Sequence, residues 1–372
     1  MATTYLTNTF GTPTNQNKWT LSFWIKRGVS GTDESLFTTD IVSGSVYAQI
    51  LLNANGTLRW YGTDTSGGNI LNLITDKLFR DISGWYNLCF QFDNTQATAS
   101  NRQKIFCNGE QLTDFSTEDY TSDSVVYTWN EASRLHFFGA KRHTGTLGGY
   151  YNGLMSHVHF IDGSIIAHDQ FGSVDATTGE WKINTSPTVA SYGTNGFTIL
   201  KDGNTITDQS PNSNDWALGG GTLTNTEDCP SDVFATLNPL NVPVSNQPTF
   251  SNGNTTSITN TGSGSYKWGG STTLGMTKGK FYCEAKATID ATYSRNVLGV
   301  TGDACELARN NSSVYGANYG SGWYSDDGGV KLNGSAAYTA STYTTGDILS
   351  IAIDLDNLKL YYAKGGTWQN SG

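Results

Sequence analysis

The chain has 372 residues, of which only 15% are charged, and 22 Lys and Arg against 32 Asp and Glu give a formal net charge of −10. That balance excludes a nucleic acid held by counterion release, and no run approaches the ~18 apolar residues of a membrane helix. Abundant glycine (43), tyrosine (19) and tryptophan (10) fit short strands and tight turns, and the length leaves room for more than one core.

From the start, alternating segments recur at the spacing of an all-β sandwich: WTLSFWIKR, VYAQILLN, GTLRWYG, GWYNLCFQFD, RQKIFCNGEQL, RLHFFGA and GLMSHVHFIDG. In the first, Trp19, Leu21, Phe23 and Ile25 share one side, with Thr20, Ser22 and Lys26 opposite, so one packed face is expected. The pairs Asn55-Gly56, Asn108-Gly109 and Asn152-Gly153 suit primed hairpin turns. Helical periodicity is nearly absent, and only Ser164 to Gly172 predicts a single turn. Cys89 and Cys107 lie on segments expected to be neighbours and are read as free thiols, with Cys229, Cys283 and Cys305 outside any C-x-x-C spacing.

The order WTLSFWIKR, SLFTTD, ILLNANGTLRWYG, GWYNLCFQFD, KIFCNGEQL, GGYYNGLMSHVHFIDG resembles the laminin G-like, pentraxin-like group of concanavalin A-like jelly rolls, over residues 1–172. Residues 173–240 turn polar and rich in Gly and Asn, with Trp181, Trp216 and Phe234 as apolar islands, and predict an irregular, partly ordered connector. The run from FIDGSIIAHDQFG to CPSDVFATLNPL resembles a cassette of tailed-bacteriophage structural proteins. Residues 241–372 again read as β-structure and resemble a SPRY-like β-sandwich through Gly279 to Glu284 (GKFYCE), Gly346 to Leu349 (GDIL), and the hairpin from Asp354 to AKGGTWQNSG. One or two further strands follow in that family, so with the sequence stopping at Gly372 the expectation is either a segment of a longer protein or a sandwich that closes differently. In LSIAIDLDNLKLY, Leu349, Ile351, Ile353 and Leu355 form an apolar face, and Leu358 and Leu360 are expected to resume it after a turn at Asp356-Asn357. An EF-hand fails there, because its sixth position would be Lys359 where glycine is required.

Catalytic signatures do not emerge. Retaining glycosidases need two carboxyls about 5 Å apart on one face, whereas Asp33-Glu34 and Glu118-Asp119 are adjacent and point to opposite faces of a strand. GSGSYKWGG and GSGWYS sit in no strand-to-helix elbow. All five histidines fall between His136 and His168, and His157 and His159, two apart, are weak metal candidates that no nearby carboxylate or thiol completes. Ca2+ would need oxygens converging from separate loops, which no spacing indicates, so no cofactor is expected.

Aromatics beside turns supply the candidate ligand residues, since rings with a polar edge stack on sugars and anchor proteins. They are Trp60, Tyr61 and Asp64; His143, Tyr150 and Tyr151; and Tyr319, Trp323, Tyr324, Asp326 and Asp327. Together these readings give a non-enzymatic protein of a phage virion surface: a tail fibre, a receptor-binding component, or a capsid fibre or decoration protein. It would fold in the host cytoplasm and display modules for host-surface glycans or proteins. Expected partners are other virion proteins and copies of itself, three if a fibre, with no nucleic acid and no membrane. Two alternatives stay open: a capsid decoration protein without ligand, and a secreted bacterial lectin, adhesin or carbohydrate-active enzyme.

Overall fold

The computed structural model describes residues 3–29, 31–41, 46–64, 66–122, 128–201, 203, 205–242, 247–258, 269–288, 296–302 and 320–371. Cys305 and Tyr319 lie outside the described residues. The chain divides into two compact units, one from Met1–Pro239 with Phe250–Thr256, the other from Leu240–Thr249 with Ser257–Gly372.

In the first unit the strands are β1 (Tyr5–Thr9), β2 (Lys18–Arg27), β3 (Glu34–Thr39), β4 (Ala48–Leu52), β5 (Thr57–Thr63), β6 (Asn69–Leu78), β7 (Tyr86–Asp93), β8 (Gln103–Cys107) and β9 (Glu110–Leu112). There follow β10 (Phe115–Asp119), β11 (Leu135–Phe138), β12 (Lys141–His143), β13 (Thr146–Gly148), β14 (Gly153–Asp162), β15 (Gly172–Val174), β16 (Trp181–Ile183), β17 (Phe197–Ile199) and β18 (Ala217–Gly220). Eight strands form one sheet in the order β10-β6-β5-β4-β3-β11-β1-β18, and six form another in the order β17-β14-β2-β7-β8-β9. Alternate residues from both fill a single core that includes Trp19, Leu21, Phe23, Ile25, Leu58, Trp60, Phe90 and Phe138.

Residues 173–239, set apart by sequence as a connector, fold within this unit. β17 pairs with β14 and β18 pairs with β1, while Phe197, Ile199, Leu200 and Trp216 enter the core. Phe234, by contrast, stays 44% exposed. A polar composition hid this because the short segments contribute few apolar residues each: Phe197, Ile199 and Trp216 are buried while Val174 and Leu218 stay exposed.

β2 is buried along both faces, not one. Its second face carries Thr20, Ser22, Trp24 and Lys26, all buried under chain that follows β14. Thr20 Oγ1 donates to Ser164 O (3.0 Å) and accepts from Ile166 N (2.9 Å), and Phe171 and Ile166 pack with Cys89, Phe106 and Ile161. Lys26 Nζ lies 2.7 Å from Asp228 Oδ2, both side chains being almost fully buried. Asp228 Oδ1 also accepts from Trp85 Nε1 (3.3 Å) and Phe234 N (2.9 Å).

Local chemistry explains the turns. Asn108 (φ 50°) and Gly109 (φ 80°) close the β8–β9 hairpin as a primed turn, and a Cβ on Gly109 would sit 2.3 Å from the Trp181 ring. Asn152-Gly153 instead enters β14, where a Cβ on Gly153 would meet Lys26 O at 2.3 Å. The predicted turn after Ser164 is a 3-10 helix, His168–Gln170. Leu88 registers with Cys107, and Cys89 with Phe106, so the two thiols point to opposite faces of the sheet and are both free.

The second unit contains two four-stranded antiparallel sheets. One orders Lys280–Lys286, Ile348–Asp354, Lys359–Lys364 and Thr367–Trp368; the other runs from Val297–Thr301 through Gly320–Tyr324 and Gly329–Leu332 to Ser335–Thr339. Its core gathers Trp323, Val330, Tyr343, Leu349, Ile351 and Tyr362. The aspartates of LSIAIDLDNLKLY serve the turn: Asp354 accepts from Asn357 N (3.0 Å) and Nδ2 (2.9 Å), and Asp356 from Gly279 N (3.1 Å). Leu358 does not resume the apolar face. It sits at φ 55° in the turn and is 87% exposed, because the reversal runs one residue longer than the alternation implies.

Removing one partner of a buried ion pair leaves the other charge desolvated. Lys26→Met is therefore expected to lower the stability of the first unit by about 3 kcal/mol, with Lys26→Met/Asp228→Leu recovering part of the loss. Urea unfolding followed by tryptophan fluorescence measures both, and an unchanged midpoint in the single variant would refute the assignment.

Candidate functional site

The outward face of the eight-stranded sheet is assembled by register. Cross-strand partners share a face, so Phe137, Thr38, Gln49, Tyr61, Asn72 and Asp119 form one row across β11, β3, β4, β5, β6 and β10. A second row follows through Ser35, Leu51, Arg59, Ile74 and Thr117. Inward neighbours Leu58 and Trp60 lie in the core and fix β5 in this orientation.

Where the rows cross β5, the side chains order one another. Tyr61 packs on Tyr47 with ring centroids 4.9 Å apart, and the Arg59 guanidinium lies 4.5 Å over the Tyr61 ring. Arg59 Nε donates to Asn72 Oδ1 (2.8 Å), and Gln49 Nε2 to Ser35 Oγ (2.9 Å). Burial and the hydrogen bond with Tyr47 push the Tyr61 phenol up to about 12, so it stays protonated at neutral pH. Tyr47, Arg59, Tyr61 and Asn72 are all half-buried: held in place, yet reachable. Such a platform offers two aromatic faces, a guanidinium and amide groups to a hydroxyl-rich ligand. Asp119 is the one carboxylate among the described residues of the two rows, which therefore present no carboxyl pair for hydrolysis.

The sequence candidates scatter. Trp60 is fully buried on the opposite side from Tyr61, because neighbours in a strand alternate. Asp64 is spent on its own loop, its Oδ1 accepting from Ser66 N and Gly68 N (both 2.8 Å). Tyr151 is buried, and its hydroxyl donates to Lys26 O (2.7 Å). Tyr150 is half-buried, 6.2 Å from the Tyr5 ring. His143 is exposed on the β12–β13 hairpin, 3.3 Å from Thr144 Oγ1. In the second unit Trp323 is core, Tyr324 is buried beneath Lys331 Nζ at 4.9 Å, and Asp326 and Asp327 are exposed, Asp327 accepting from Gly329 N (2.8 Å). Of these candidates only Tyr61 lies in the β5 platform; Tyr47, Gln49, Arg59 and Asn72 were missed. Period-2 alternation in GTLRWYG was the available signal, since it places Arg59 with Tyr61 and against Trp60.

The His157 and His159 rings lie 6.5 Å apart, although the strand between them is irregular. β14 bulges between Ser156 and His159, and His157 takes φ 47°. His157 Nδ1 lies 2.7 Å from Ser156 Oγ, and His159 Nδ1 lies 3.0 Å from Thr198 Oγ1. No group of three His, Cys, Asp or Glu side chains suited to a metal occurs among the described residues.

Residues 2–169 match the concanavalin A-like lectin/glucanases superfamily. A search of curated proteins finds no match. Among solved structures the chain is similar to a heptameric SAP-like pentraxin from Limulus polyphemus, at 12% identity and TM-score 0.36, over 60% of this chain and 91% of that one. It is also similar to a putative carbohydrate binding protein from Bacteroides ovatus (12%, TM-score 0.40, covering 63% and 60%). A third is the CBM40 of Ruminococcus gnavus IT-sialidase (16%, TM-score 0.31, covering 42% and 80%). The first unit has a concanavalin A-like, laminin G-like fold.

Burial holds the His136 and His159 imidazoles at about 3, against an ordinary value of 6.5. The unfolded chain takes up these protons below about pH 6.5 and the native fold only near 3, so stability present above pH 6.5 is lost as pH falls. Buried Glu34, raised by desolvation, works in the opposite sense. About 2 kcal/mol per histidine is expected to disappear by pH 5. Calorimetry of His159→Asn against the parent chain across pH 5 to 7.5 tests this, the variant giving the flatter profile.

Proposed function

We propose that the first unit is a non-catalytic glycan-binding module whose binding face is the outward side of the eight-stranded sheet, centred on Tyr61. The observation that carries this is the ordered cluster of Tyr47, Tyr61, Arg59 and Asn72 on that face, while the outer face of the six-stranded sheet is occupied by the chain itself. Stacking of sugar rings on tyrosine, with hydrogen bonds to amide and guanidinium groups, accounts for recognition of hydroxyl-rich surfaces. The single carboxylate of the two rows, Asp119, favours binding over hydrolysis. Resemblance of residues 160–240 to a phage structural cassette, and of the second unit to SPRY-like domains, supports display of this module on a virion surface. Repetition of a weak site over many copies raises avidity by about 10²–10⁴.

Tyr61→Ala is expected to weaken binding to a responsive polysaccharide about tenfold, with Tyr324→Ala in the second unit leaving it unchanged, as measured by affinity electrophoresis. Binding insensitive to Tyr61→Ala would reject the face. Reducing-sugar release that is lost in Asp119→Asn would reject the non-catalytic reading. Antibody labelling of this chain on intact particles, seen by electron microscopy, tests the virion assignment.

A further inference from the structure

The second unit contains a groove of about 320 Å³ lined by Tyr338, Lys359, Leu360, Tyr361, Gln369 and Asn370. That volume lies at the lower end of small-molecule sites, roughly 300–1,000 Å³. Its walls are fixed from outside the groove. Tyr338 and Leu360 are partly buried against the unit's core, and Trp368 packs edge-on to Tyr361 at 6.2 Å. Gln369 is held at both ends of its amide, Oε1 accepting from Ser341 N and Nε2 donating to Thr367 O (both 2.9 Å).

The groups that converge on the groove are unspent. Among the described residues, the Tyr338 and Tyr361 hydroxyls, the Lys359 ammonium and the Asn370 carboxamide form no hydrogen bond or ion pair within the chain. The register sets Lys359 opposite Asp354, but that carboxylate is engaged by Asn357 Nδ2 (2.9 Å) and lies 3.4 Å from Lys280 Nζ. Two aromatic faces, two hydroxyls, an amide and one cation form a donor-rich set with a single positive charge. A chain of net charge −10 repels polyanions, so one carboxylate among many hydroxyls matches the set better than a phosphate or sulfate cluster.

We infer that this groove is a second binding site, for a saccharide bearing a carboxylate: Lys359 pairs with the carboxylate, the Tyr361 and Tyr338 rings pack on the sugar, and Asn370 bonds its hydroxyls. The site is independent of the face proposed for the first unit, and it makes one chain bivalent.

The test uses the full chain, with galacturonate as probe and neutral galactose as control, titrated by calorimetry and by saturation-transfer NMR. Galacturonate is expected to bind about tenfold more tightly than galactose, the size of a charge-assisted hydrogen bond. Lys359→Gln should abolish that preference, Tyr361→Ala should weaken both sugars, and Tyr61→Ala should leave the preference intact, with circular dichroism confirming that each variant folds. Equal affinity for the two sugars, no binding of either, or a preference that survives Lys359→Gln overturns the inference. A preference lost in Tyr61→Ala but kept in Lys359→Gln would place the saccharide on the first unit, defeating this inference while sustaining the other reading.

Discussion

Two consecutive cations on β2 organise the first unit. Arg27 and Lys26 point to opposite faces of the same strand, and both are withdrawn from water. Arg27 reaches Glu34 of the other sheet through Nη2 (2.8 Å) and Nε (3.2 Å), and its Nη1 donates to Phe79 O (2.7 Å). Glu34 in turn accepts from Asn152 N (3.0 Å). Lys26 reaches Asp228 in the covering segment. Desolvating four charges is costly, and the cost is met only when each finds its partner with good geometry. Three layers, the eight-stranded sheet, the six-stranded sheet and the cover, are thereby registered at one end of one strand.

That arrangement decides which surface is left uncovered. An uncovered sandwich would offer two outer faces. Here one is closed by Ile166, Phe171, Val189 and Tyr192 over Cys89, Phe106 and Ile161. On the eight-stranded sheet the outward positions of β11, β3 and β4 are buried as well, Phe137, Thr38 and Gln49 among them, and the half-exposed outward side chains are Arg59, Tyr61 and Asn72 of β5 and β6. The second unit follows another logic, in which the groups available to a ligand sit at the end of a hairpin and the turn after it.

Much of the fold was legible in the chain. The inward set Trp19, Leu21, Phe23 and Ile25 was readable because alternation is a local property. What escaped was non-local. That Thr20, Ser22 and Lys26 would also be buried depends on residues more than a hundred positions away, and nothing in WTLSFWIKR announces them. The misgrouping of Trp60 with Tyr61, and of Trp323 with Tyr324, came from reading aromatic neighbours as one cluster where a strand sends them apart. His157 and His159 do lie together, their rings 6.5 Å apart, although a bulge that no spacing rule anticipates separates them on β14. The connector was misread for a compositional reason: Phe197, Ile199 and Trp216 are too few to look like a core segment, although each is buried.

The chain leaves the first unit after Pro239 and returns for Phe250–Thr256 before departing again. On its return Asn254 Nδ2 donates to Gly28 O (2.8 Å), beside the buried cations, and Asn254 O accepts from Leu237 N (2.8 Å). Because Leu240–Thr249 belongs to the second unit, the backbone crosses between the units at 239/240, 249/250 and 256/257. No single backbone cut therefore frees one folded unit from the other, so limited proteolysis between them is resisted by topology.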